Sequence, residues 1–112
     1  MDATTIKDYE EIYAALKQYA DGINISGEET SKAFHDNAIM NGGPIQILYN
    51  IVDQAGKGEG AAHIDILDVA GNVACARVTL ENLHGKNYID FMQLIKTEKD
   101  GWKIISKVYS AC

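Results

Sequence analysis

From Ala61 to the end, the chain is a succession of extended segments separated by very short polar breaks, and this constrains the fold more than any other feature. Ala61 to Val69, Val73 to Leu83, Tyr88 to Thr97 and Trp102 to Tyr109 are rich in β-branched and aromatic residues. The breaks are Ala70-Gly71-Asn72, His84-Gly85-Lys86-Asn87 and the polar stretch around Asp100-Gly101. A parallel neighbour would need a crossover of about a dozen residues, so such short connections dictate an antiparallel meander. In the last two segments apolar residues take nearly every position, as expected for a curved sheet covered on both faces. A sheet of that kind can wrap a pocket.

The preceding half reads as helical. Between Thr5 and Ile25, Ile6, Tyr9, Tyr13, Leu16, Ala20 and Ile23 recur at three- and four-residue steps, and Ile12 and Tyr19 widen the stripe. This predicts an amphipathic helix roofing the sheet. Ser26-Gly27-Glu28-Glu29 has capping-box spacing and predicts a short second helix to about Phe34. His35-Asp36-Asn37 breaks it, and Ala38-Ile39-Met40 reads as a short strand. Pro44 suits a first helical position, so a third helix is expected from there to about Gln54, with Ile45, Leu48 and Val52 on its apolar face. Gly56-Lys57-Gly58-Glu59-Gly60 reads as a flexible loop; it lacks a Gly-Lys-Ser/Thr ending and precedes a strand, so it is no phosphate cradle. The expectation is one α+β domain over residues 1–112, with three helices packed on a curved antiparallel sheet of four to five strands.

At 112 residues, with 46% apolar and 23% charged residues, the chain is long enough to bury its own core. A net charge of −6 without any basic run disfavours nucleic acid as a partner. The apolar runs are far below the ~18 residues of a membrane span, and the acidic, polar N-terminus lacks a signal-peptide pattern, so a cytoplasmic protein is expected. Cys75 and Cys112 stand outside any metal or disulfide spacing; Cys75 is expected to be a buried small apolar side chain and Cys112 an exposed tail residue. No cofactor or metal site is expected.

The ordered set of a helix, a capped helix ending in Ala33-Phe34-His35-Asp36-Asn37-Ala38, a third helix beginning Gly43-Pro44-Ile45-Gln46, and a final strand pair holding Asp90-Phe91 and Gly101-Trp102-Lys103-Ile104-Ile105-Ser106-Lys107-Val108 resembles the nuclear transport factor 2-like superfamily. Within it, the chain resembles the bacterial branch labelled putative lumazine-binding, close to the SnoaL-like proteins. The resemblance implies an α+β cone whose sheet and helices enclose an apolar cavity, and a homodimer formed through the outer sheet face. The superfamily includes ketosteroid isomerases, cyclases and dehydratases, so the fold alone does not choose a chemistry.

Matched motif by motif, Tyr19 falls at the oxyanion tyrosine of the isomerases. Gly42, with Asn41 beside it, falls at the base, and Gln93, counted back from the Asp100-Gly101 turn, falls at the oxyanion acid. Glycine cannot abstract a proton and glutamine cannot titrate, which argues against isomerase chemistry by that route. Tyr19, Asn41 and Gln93 remain as polar groups for a small apolar or aromatic ligand, although Tyr19 also suits simple packing with its hydroxyl on a backbone group. Relatives carry a longer excursion between Met40 and Gly43, where this chain has only Asn41-Gly42, so a smaller or more open cavity is expected.

His35, at a helix end, is a candidate general base, because imidazole changes charge near neutral pH, or else a partner for the helix dipole. His63 and His84 are too far apart in sequence to suggest a site. Asp90, between apolar neighbours, must be hydrogen-bonded or exposed. Strand alternation puts it opposite Gln93, hence on the outer face if Gln93 lines the cavity; in the reversed register it becomes the best acid/base candidate in the chain. Asp8, Glu10, Glu11, Glu28 and Glu29 are explained by solvation and helix starts, and Arg77 by an outer-face salt bridge. Three functions follow: a ligand-binding protein, an acid/base enzyme of dehydratase, cyclase or isomerase type using His35 or Asp90 with Tyr19, and a ligand-free interaction module.

Overall fold

A computed structural model describes residues 3–112. Three helices, α1 (Ile6–Gly22), α2 (Gly27–Ser31) and α3 (Gln46–Ala55), accompany six strands: β1 (Phe34–Met40), β2 (Gly43–Pro44), β3 (Ala61–Ala70), β4 (Val73–Leu83), β5 (Lys86–Thr97) and β6 (Gly101–Ala111). They form one curved, unclosed sheet in the order β2-β1-β6-β5-β4-β3. The meander β3 to β6 is antiparallel, as its short turns require, but β1 pairs parallel to β6, so the sheet is mixed and has more strands than the four to five expected. Phe34 lies opposite Ile104 and Ile39 opposite Ser106; the turn-forming residues between them are accommodated as an irregularity within β1 rather than ending it.

Asn41 and Gly42 both take positive φ (48° and 85°), the requirement of a two-residue type I′ hairpin turn. The segment expected to have lost its hairpin therefore keeps a minimal one, with Met40 opposite Gly43 and Ile39 opposite Pro44. Pro44 does not open α3. It sits in the edge strand β2, where a missing N–H costs no ladder bond, and α3 starts at Gln46.

Helix α1 buries Asp8, Ile12, Ala15, Leu16, Tyr19 and Ala20, whereas Ile6, Tyr9 and Tyr13 of the expected stripe are exposed. The rotation is set by Asp8. Its side chain and that of Thr5 close a capping box, while Asp8 Oδ1 accepts from Trp102 Nε1 (3.0 Å) and Lys96 Nζ (2.9 Å). That anchor turns Ile12, Leu16 and Tyr19 onto the concave sheet face, against Val78, Leu80, Met92, Leu94 and Ile104. The Gly56–Gly60 loop is fastened as well. Asn24 donates to the Gly60 carbonyl and accepts from its N–H, and Gly58 N–H donates to the Asn24 carbonyl. A Cβ on Gly58 would lie 2.9 Å from Asn24 Oδ1 and 3.2 Å from His84 Nε2, so the glycine is what permits this close approach.

Candidate functional site

Where the sheet curls away from α1, a cavity of about 230 Å³ opens. Ile23 at the end of α1, Leu48 and Val52 of α3 and Leu80 of β4 form apolar walls, and the Tyr88 and Tyr109 rings meet edge to face with centroids 6.0 Å apart. Three polar side chains reach it from three elements. Tyr19 follows Ile12 and Leu16 on the buried stripe of α1. Asp90 precedes Met92 and Leu94 on the inward phase of β5. Lys107, opposite Met92, comes from β6.

Tyr19 Oη donates to Asp90 Oδ2 at 2.5 Å. Burial pushes the phenol well above its ordinary pKa, so it remains a donor at neutral pH. Asp90 is fully buried, and its other oxygen, Oδ1, has no hydrogen-bond partner; Lys107 Nζ stands 3.5 Å away. Desolvation raises the Asp90 pKa, against the opposing pull of Lys107 and the Tyr19 hydrogen bond. Desolvation also lowers that of Lys107, against the attraction of Asp90. The amine is otherwise bounded by Met40 Sδ at 4.0 Å and the face of Tyr109, 3.9 Å from the ring centroid. Burial thus moves both members of the pair toward their uncharged forms.

The structure brings Tyr19 and Asp90 together and leaves the other sequence candidates elsewhere. Gln93 is on the opposite face of β5, exposed, beside Asp68 and Cys75 in an outer groove. The alternation that separated Asp90 from Gln93 is right and its phase is reversed. Gln93 pairs with Ser106 and Leu94 with Ile104, leaving Ile105 as an extra residue in β6, while β5 itself alternates without a break, with Asp90, Met92 and Leu94 buried and Gln93 exposed. The argument against isomerase chemistry from Gln93 therefore loses its premise, while Gly42 stays in a turn where nothing lies within 4 Å of a built Cβ. Asn41 Oδ1 accepts from Tyr109 N–H and ties the β1–β2 turn to β6. His35 Nδ1 accepts from Asn37 N–H, away from the cavity.

Lys107 was not singled out from the sequence. Its only signal is a cation on the inward phase of a strand, shared with Trp102 and Ile104 across the bulge. His84, set aside from the sequence, borders the cavity with Lys86, because the β4–β5 turn folds over its mouth. Cys75 is half-buried on the outer face, not in the core. Arg77 is also on that face and lies over the Phe91 ring (5.9 Å to the centroid); among the described residues it forms no ion pair of the kind expected. Among the described residues, no helix is long and apolar enough to cross a membrane.

Residues 7–110 match the family described as putative lumazine-binding. A nuclear transport factor 2-like protein of unknown function from Methylobacillus flagellatus KT superposes with a TM-score of 0.92 at 29% identity, covering 98% of this chain and 96% of that one. One from Shewanella baltica OS155 gives 0.88 at 28%, covering 99% and 98%. A ketosteroid isomerase-like protein from Erwinia carotovora atroseptica shares the fold at a TM-score of 0.73 and 15% identity, covering 96% and 98%. No curated protein matches the sequence. The chain belongs to the putative lumazine-binding family of the nuclear transport factor 2-like superfamily.

Proposed function

We propose that the cavity binds a small, flat organic molecule that donates a hydrogen bond to Asp90. The observation carrying this reading is Asp90 Oδ1, a buried acceptor without a partner at the cavity wall. Such a group costs about 1–3 kcal/mol while unpaired, and a ligand N–H or O–H would recover part of that. The three tyrosine rings and aliphatic walls suit an apolar or aromatic body. At about 230 Å³ the space lies below the ~300–1,000 Å³ of drug-sized sites, which favours one or two rings. Native mass spectrometry of protein purified from its own host tests this. An adduct lost on denaturation and weakened by Asp90→Asn supports the reading; an adduct indifferent to Asp90→Asn places the ligand elsewhere.

A second reading, acid/base catalysis on that ligand, draws on the raised Asp90 pKa, caused by burial, and on its hydrogen bond from Tyr19, a carboxyl and a phenol joined at the wall of an apolar cavity. A rate profile that loses its pH dependence in Asp90→Asn would support it. The outer sheet face, with Phe91, Val108 and Val73 exposed, suits a homodimer. Phe91→Glu would then yield a monomer in analytical ultracentrifugation.

A further inference from the structure

Lys107 is surrounded unlike any other lysine of the chain. An ammonium has three donors to satisfy, yet around Nζ the structure offers a carboxylate oxygen at 3.5 Å, a thioether at 4.0 Å and an aromatic face. The residue is 4% exposed, and it lines the cavity. Lys17, Lys32 and Lys96, by contrast, are solvent-accessible, and each holds a carboxylate at 2.9 Å or closer that keeps it protonated. Titratable groups facing Lys107 come from three elements: Tyr19 of α1, Asp90 and Tyr88 of β5, and Tyr109 of β6, with His84 and Lys86 at the mouth.

We propose that Lys107 is a carbonyl-reactive amine, and that a small aromatic aldehyde entering the cavity condenses with its Nζ into a reversible imine, with Asp90 moving the protons. The proposal rests on the ligand-binding reading and names the class of ligand; the hydrogen bond to Asp90 comes from the O–H and N–H of the carbinolamine formed in the cavity, not from the free aldehyde. An amine desolvated in an apolar pocket keeps its lone pair free for attack. That pair bonds to the carbonyl carbon while the C=O π electrons pass to oxygen, which takes a proton from the Asp90 carboxyl; the nitrogen then returns a proton to Asp90. Asp90 next protonates the hydroxyl, the C–O bond breaks, water leaves and the nitrogen pair closes the C=N bond. The last N–H proton goes back to Asp90. One aldehyde and one amine give one imine and one water, and Asp90 ends as it began. Its Oδ1, 3.5 Å from Nζ and free of other partners, is the atom placed to act.

The test incubates the intact protein with benzaldehyde and sodium cyanoborohydride at pH 7, where hydride reduces any imine to a stable secondary amine, and maps the benzyl group by peptide mass spectrometry. Lys107 should be labelled first, at least about tenfold faster than Lys17, Lys32 or Lys96, whose carboxylate partners hold them protonated. The Asp90→Asn, Lys107→Met double variant, which leaves no buried charge behind, should lose this fast label alone. Labelling of surface lysines at equal rates, or none at Lys107, overturns the proposal. Benzyl alcohol, which has the ring without the carbonyl, separates the two readings in NMR shift mapping. If it perturbs cavity residues while benzaldehyde leaves no adduct on Lys107, the carbonyl chemistry falls and ligand binding stands. If neither molecule perturbs the cavity and no adduct forms, both fall for single-ring ligands.

Discussion

Two buried aspartates divide the molecule into a finished corner and an unfinished one. At the closed end, Asp8 receives the Trp102 indole, the Lys96 ammonium and the backbone N–H and hydroxyl of Thr5, and these donors hold its carboxyl well below the usual range. At the open end, among the described residues, Asp90 receives only the Tyr19 hydroxyl, and desolvation drives its pKa the other way. A carboxylate saturated with donors is a rivet; one left short of them in an apolar cavity is a group waiting for a partner. The contrast shows that burial alone says little about a charged residue, whereas its unmet hydrogen-bonding capacity says a good deal.

The largest effect is expected at the closed corner. Trp102→Ala removes a core ring and an Asp8 donor together and should cost about 3–5 kcal/mol in urea unfolding; a loss below ~1 kcal/mol would show that the corner is not a rivet. At the open corner, Lys107→Met removes the polar neighbour of the buried Asp90 carboxyl and should cost about 1–3 kcal/mol at pH 8, while adding Asp90→Leu should restore most of it. Additive losses in that cycle would mean that the pair is not coupled. Tyr19→Phe deletes the sole donor to Asp90 and should cost about 1–3 kcal/mol, with a further rise of the Asp90 pKa in carboxyl ¹³C NMR.

The two aspartates should also separate in the pH dependence of stability. Asp8, depressed in the fold, contributes stability that is present above its unfolded pKa and lost as pH falls through ~3.8 toward the folded value; Asp8→Asn should remove that acid-side slope. Asp90, raised in the fold, makes stability fall as pH climbs from ~3.8 to its folded value, and Asp90→Asn should flatten that limb. The smallest effect belongs to the exposed Lys17–Asp21 pair: Lys17→Ala should leave the unfolding midpoint unchanged.

The meander was legible almost to the residue, because alternation and short turns act locally. Asp8 was read as an acidic residue at a helix start, which it is, but nothing in the sequence near Asp8 announces that Trp102 and Lys96 arrive from the far end of the chain to bury it. Asn41-Gly42 is itself a strong hairpin signal, two residues suited to positive φ, which a comparison of segment lengths does not reveal. For Asp90, the sequence offered two registers and no means to choose between them.

The sequence by itself determined the helices, the meander, the separation of Asp90 from Gln93 onto opposite faces, and the family resemblance, since each depends on spacing along the chain. Tertiary structure decided which face looks inward, through the packing of α1 against the Asp90, Met92 and Leu94 face of β5. It also decided that Lys107 from the last strand would stand beside Asp90 and Tyr19. The physical reason is that alternation fixes relative facing only, while a strand's absolute phase and the meeting of three distant side chains are set by how sheet and helix pack as a whole.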